Sequence, residues 1–105
     1  MKIQVNTDNV IQGRSDVVAH VESVVKSKLG AISEGITRIE VHIQDQNAHK
    51  SGPDDKRCQV EARLEGRAPV SATHAADSIQ SAVSGAVDKL RNVLDTELGK
   101  MRQRR

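Results

Sequence analysis

The chain has 105 residues, of which 36% are hydrophobic and 29% charged, with one Cys, two Pro and no Phe, Tyr or Trp. Its size supports one domain, 1–105, with one small core, and its composition suits a globular fold rather than disorder or a membrane span. A net charge of +2 does not mark a nucleic-acid binder, and without aromatics any nucleic acid would be held by its phosphates rather than by base stacking.

Residues 2 to 6 (KIQVN) alternate, with Ile3 and Val5 on one side, and predict a short strand. After Thr7-Asp8-Asn9 and Gly13, Ser15 or Asp16 can cap a helix in which Val17, Val21, Val24, Val25, Leu29 and Ile32 recur at helical spacing up to Gly35. Residues 36 to 46 place Ile39, Val41 and Ile43 against Arg38, Glu40, His42 and Gln44. Residues 56 to 65 place Cys58, Val60, Ala62 and Leu64 against Arg57, Gln59, Glu61, Arg63 and Glu65. Both read as strands with one wet face. Between them, the stretch around Gly52-Pro53 is too long for a tight turn and reads as a mobile loop, 47 to 57. Glu65-Gly66-Arg67 makes a shorter turn into a strand at 69 to 73, with Val70 and Ala72 inward and Pro69 suggesting a sheet edge.

From about Ala75 to Met101, Ile79, Val83, Ala86, Val87, Leu90, Val93, Leu94, Leu98 and Met101 predict one helix about 40 Å long, its basic end projecting beyond the sheet. The expected fold is α+β, a two-layer sandwich of order β-α-β-β-β-α with a four-stranded sheet and both helices on one face. Strands one and two should be parallel through a right-handed crossover, and the remaining connections hairpins.

Charge is uneven along this chain. Residues 1–88 carry ten bases and twelve acids, a net of −2; residues 89–105 carry six bases and two acids, a net of +4. Lys89, Arg91, Lys100, Arg102, Arg104 and Arg105 thus form a cationic end, densest over 98–105, able to steer toward a polyanion. Cations at a helix C-terminus also complement the helix dipole. Pairs at i,i+3 or i,i+4 (Asp88 with Arg91, Arg91 with Asp95, Glu97 with Lys100) neutralise part of it. Lys89, Arg102, Arg104 and Arg105 lack such partners.

Little points to catalysis. His20, His42, His49 and His74 show no metal-ligand spacing, Cys58 points inward as a small hydrophobe, and Asp54-Asp55 beside Lys56-Arg57 is expected to neutralise itself. No phosphate-cradling glycine loop or Ser-His-Asp set is present. The first residues lack an apolar stretch and a lone Cys forms no internal disulfide, so the expected location is the cytoplasm.

The element order, the tetrapeptide Val87-Asp88-Lys89-Leu90, the basic end, His20-Val-Glu22 with Lys28-Leu29 in the first helix, and Ile39 to Ile43 resemble the ribosome hibernation-promoting factors, also called ribosome-associated inhibitors or sigma modulation proteins. The resemblance spans the chain and implies a short form without the linker and dimerising domain of longer members. It implies a translation inhibitor in the mRNA and tRNA channel of the small ribosomal subunit, touching rRNA phosphates. It further implies no cofactor, catalysis, small-molecule substrate or membrane, and a monomer off the ribosome. Anchored on Asp88-Lys89-Leu90, the family's upstream aspartate, tyrosine and second aspartate become Ser78, Gln80 and Ser84. Several downstream basic positions become Asn92, Asp95, Thr96 and Glu97, leaving Lys89, Lys100 and Arg102 as the clear matches. A protein-binding adaptor of the same fold, using the polar sheet face or the loop, is the alternative.

Overall fold

The computed structural model describes residues 1–8, 14–45 and 56–103, the side chains of Arg14 and of 101–103 excepted. The expected loop from 47 to 55, with His49, lies outside the described residues.

Strands β1 (Lys2–Thr7), β2 (Ile36–Asp45), β3 (Lys56–Leu64) and β4 (Val70–Ala76) form a sheet in that order, with helices α1 (Arg14–Leu29) and α2 (Ile79–Gln103). β1 runs parallel to β2, while β2–β3 and β3–β4 are antiparallel. This is the expected α+β sandwich, with both helices over one face. α1 buries Val17, Val21, Val25 and Leu29, every fourth residue. α2 buries Ala82, Val83, Ala86, Val87, Leu90 and Leu94 against Ile39, Val41, Ile43, Cys58, Val60 and Ala62. Each large aliphatic side chain so buried contributes about 1.5–3 kcal/mol of transfer free energy.

Four boundaries differ from expectation. α1 begins at Arg14, so Ser15 and Asp16 lie inside its first turn, where Asp16 complements the N-terminal dipole instead of capping it. It ends at Leu29, and Gly30–Gly35 tightens into a 3-10 turn. Glycine is a poor interior residue for an α-helix, and Ile32 still packs on the core from this tighter path. β4 continues through Ala76 because Ala75 and Ala76 pair with Arg57 and Lys56 of β3. Cross-strand pairing overrides alanine's helix propensity there. α2 therefore starts at Ile79, and the Ser78 hydroxyl accepts the Ser81 N–H at 3.1 Å as its N-cap. Val93, expected on the apolar stripe, is exposed, because one residue back from Leu94 rotates the side chain by about 100°.

β2 also contains a bulge that alternation alone does not predict. The register slips between Ile36 and Arg38, leaving Thr37 as the extra residue. The slip puts Ile36 into the core together with Ile39, whereas strict alternation would have set them on opposite faces. Thr37 Oγ1 donates to the Arg63 carbonyl at 3.0 Å, satisfying backbone next to the irregularity. At the β3–β4 turn Gly66 takes φ 72°, a left-handed conformation that favours glycine.

Candidate nucleic-acid interface

Leu90 and Leu94 hold α2 on the sheet, and the charged residues around them fall on different sides of the helix. Lys89 and Lys100 are separated by 11 positions, about three turns, and so project from one side; Arg91 is rotated about 200° from Lys89, and Arg102 follows it by the same 11 positions. The described cations therefore do not gather into one patch. The side chain of Arg102, and Arg104 and Arg105 altogether, lie outside the described residues.

Each described cation has a distinct attachment. Lys89 Nζ donates to the Thr73 carbonyl at 3.2 Å, covering an outward group of the edge strand β4. Arg91 faces α1: it donates to the Lys28 carbonyl at 2.6 Å and, through Nε, to Asp95 Oδ1 at 3.0 Å. Lys100 stands 3.7 Å from Glu97, which also meets Arg67 at 3.9 Å. The acids that interrupt the basic segment thus serve internal contacts, Asp95 fixing Arg91 and Glu97 tying the β3–β4 turn to α2. The expected Asp88–Arg91 pair does not form. Asp88 instead takes Lys28 of α1 at 2.7 Å, and Lys28 also donates to Ser84 Oγ at 2.8 Å. Lys28, Ser84 and Asp88 latch the two helices together. Their spacing on separate helices gave no local signal of this, although Ser84 and Asp88, four apart, share one face of α2.

The remaining candidates fall as follows. Cys58 is fully buried, and burial pushes its thiol up to about 12. Lys56 pairs with Asp45 at 3.3 Å across the ladder, and Asp54-Asp55 lie outside the described residues. His42 is on the open sheet face. His74 lies beneath α2, where Gly85 leaves room for its ring: a Cβ there would overlap it. His20 Nε2 is buried without a hydrogen-bond partner. Among the described residues no three His, Cys, Asp or Glu side chains converge on a metal position, and no helix is long and apolar enough to cross a membrane.

The family model for sigma 54 modulation protein / S30EA ribosomal protein matches residues 9–102. The chain belongs to that family. Two solved structures share the fold. A ribosomal subunit interface protein from Coxiella burnetii has 17% identity and a TM-score of 0.68, over 94% of this chain and 99% of that one. The Protein Y N-terminal domain of Thermus thermophilus has 20% identity and a TM-score of 0.64, over 88% and 93%. At such identities the likeness carries the fold alone. No curated protein matches the sequence. Within this family fold, the open sheet face and the end of α2 are among the surfaces that the core leaves exposed.

Proposed function

We propose that this protein is a ribosome-associated translation inhibitor that occupies the mRNA and tRNA channel of the small subunit and contacts rRNA phosphates through the C-terminal half of α2. Family membership supports the association with ribosomes. The observation that carries the mode of contact is the excess of six bases over two acids in residues 89–105, with both acids engaged internally. Lys89 and Lys100 are exposed on one side of the helix, and Arg102, Arg104 and Arg105 add to the charge of the segment. Arg91 braces α1 and adds to the field without leaving its carbonyl. A surface ion pair such as Lys100 with Glu97 is worth under about 1 kcal/mol, so exchanging it for a phosphate costs little. The work is electrostatic and requires no cofactor and no bond-making step; the protein is cytoplasmic and, when off the ribosome, a monomer.

Co-sedimentation with purified small subunits at low and physiological salt tests this reading. Neutralising four to six phosphates gives a slope of log K against log salt of roughly −3 to −5. Changing Lys100, Arg102, Arg104 and Arg105 together to Gln should flatten that slope and weaken binding. Binding insensitive to salt, or unchanged in the quadruple variant, would overturn the reading in favour of a protein-binding adaptor.

A further inference from the structure

The open face of the sheet has two unlike halves. Toward one end, Arg38 reaches Gln4 and Glu40, Arg63 reaches Glu40 at 3.6 Å and Glu61 at 3.5 Å, and the network closes on itself. Toward the other end, the facing pairs His42–Gln59 and Gln44–Arg57 of β2 and β3 line a concavity of about 150 Å³. Among the described residues no carboxylate lines it. Arg57 is exposed and, among the described residues, makes no ion pair or side-chain hydrogen bond, unlike the two other guanidinium groups on this face.

We propose that His42, Gln44, Arg57 and Gln59 form a site for a backbone phosphate of RNA, separate from the cationic end of α2. The donor set decides the ligand class. A guanidinium offers paired N–H groups in a fork that matches two phosphate oxygens, the two glutamine amides supply further donors, and their carbonyls can accept from a ribose hydroxyl. A metal ion would find a fixed cation here instead of carboxylates, and an apolar ligand would find no apolar wall. The polar row extends to both edges of the sheet, since Asn6 faces His42 and Thr73 faces Gln59. Helices and sheet face lie on opposite sides of a body 23 × 20 Å in cross-section. Contacts on both sides make the protein a wedge between two RNA strands instead of a ligand resting on one. For the source of the phosphate this inference rests on the ribosome reading.

The test follows side-chain resonances of the full-length protein, Arg57 Nε–Hε, the Gln44 and Gln59 amides and the His42 ring, on titration with a short single-stranded oligouridylate at low salt. A polyglutamate peptide of equal charge serves as the second probe. Shifts at these four residues with the oligouridylate, weaker with polyglutamate, are expected. Arg57→Gln should weaken binding about tenfold and reduce the salt slope by about 0.7 to 0.9. Arg57→Lys should keep the slope while losing part of the affinity, and the quadruple α2 variant should leave the four shifts in place. Absence of shifts at these residues, or equal shifts with polyglutamate, would overturn the site. If the shifts appear but wild-type protein does not sediment with small subunits, the site stands and the ribosome reading falls. If wild-type and Arg57→Gln sediment with the same slope and the resonances are silent, the site falls alone.

Discussion

The two halves of α2 carry the same helical backbone under opposite constraints. From Ile79 to Leu94 the helix is capped by Ser78, latched to α1 through Lys28, and buries six side chains completely. Beyond Leu94 no described residue is fully buried: Glu97, Leu98 and Gly99 keep partial burial, and a Cβ on Gly35 would stand 3.1 Å from Leu98 Cδ2. Packing dictates the residues of the first half. The second half is free to collect charge, so changes there can alter binding without altering the fold. The sharpest way to break this comparison is to cut into each half. Leu90→Ala should cost about 2–5 kcal/mol, the usual range for a fully buried leucine, while Leu98→Ala costs about 1 kcal/mol because less contact is lost. Urea unfolding with an unchanged m-value would report both; equal losses would mean that the end of α2 is as firmly packed as its start.

At Gly85 the first half packs directly on a side chain of the sheet. Adding a methyl group drives it into the His74 ring of β4, and such overpacking costs about 1–3 kcal/mol. Combining Gly85→Ala with His74→Ala should return part of that loss, a non-additivity that identifies the ring as the obstacle. Thermal melts of the two single variants and the double variant measure it, and strict additivity would show the helix shifting away as a whole.

Beneath this half, Cys58 reports on how dry the core is. Its thiol sits at about 12 when folded against 9.0 for the free group, because burial disfavours the thiolate. A raised acid pKa contributes stability that is fully present below about pH 9 and is lost as the pH climbs toward 12, since only the unfolded chain ionises there. The loss approaches about 1.4 kcal/mol per pH unit. Wild-type stability between pH 9 and 10.5 should therefore fall more steeply than that of Cys58→Val, and iodoacetamide should label native Cys58 only at the rate of unfolding. Parallel pH curves for the two proteins would place water at the thiol.

The fold was largely legible because alternation and helical spacing are local signals: Ile39, Val41 and Ile43, or Val83, Val87 and Leu90, declare their faces without knowledge of partners. What escaped depended on neighbours distant in sequence. Ala75 and Ala76 look helical until β3 pairs with them, and Ile36 looks misplaced until the bulge at Thr37 turns it inward. At the candidate site the charges were countable but their engagement was not. Asp88 suits Arg91 by spacing, yet Lys28 from another helix takes it. Arg57 looked neutralised by its sequence neighbours, yet it faces open solvent on the sheet. Spacing along one element reveals which groups share a face, and only the packed fold reveals which of them are already in use.

Arg91 lies within the packed half of α2 yet carries one of the basic charges, and the smallest expected effects decide to which role it belongs. Arg91 spans the helices, with its guanidinium on the Lys28 carbonyl and on Asp95, and is half-buried. Arg91→Gln removes a charge-assisted bond from that carbonyl and should cost about 1 kcal/mol, a reduced value for a group that solvent still reaches. Lys100→Gln removes only an exposed pair with Glu97 and should change stability by less than about 0.5 kcal/mol. In sedimentation with small subunits the order should reverse, Lys100→Gln reducing the salt slope and Arg91→Gln leaving it nearly unchanged as long as the helix stays docked. Denaturation and binding measured on the same two variants would place Arg91 with the scaffold and Lys100 with the handle. If Arg91→Gln altered the slope as much as Lys100→Gln at unchanged stability, the guanidinium would have left the Lys28 carbonyl for the partner, and the boundary would move back toward Lys89.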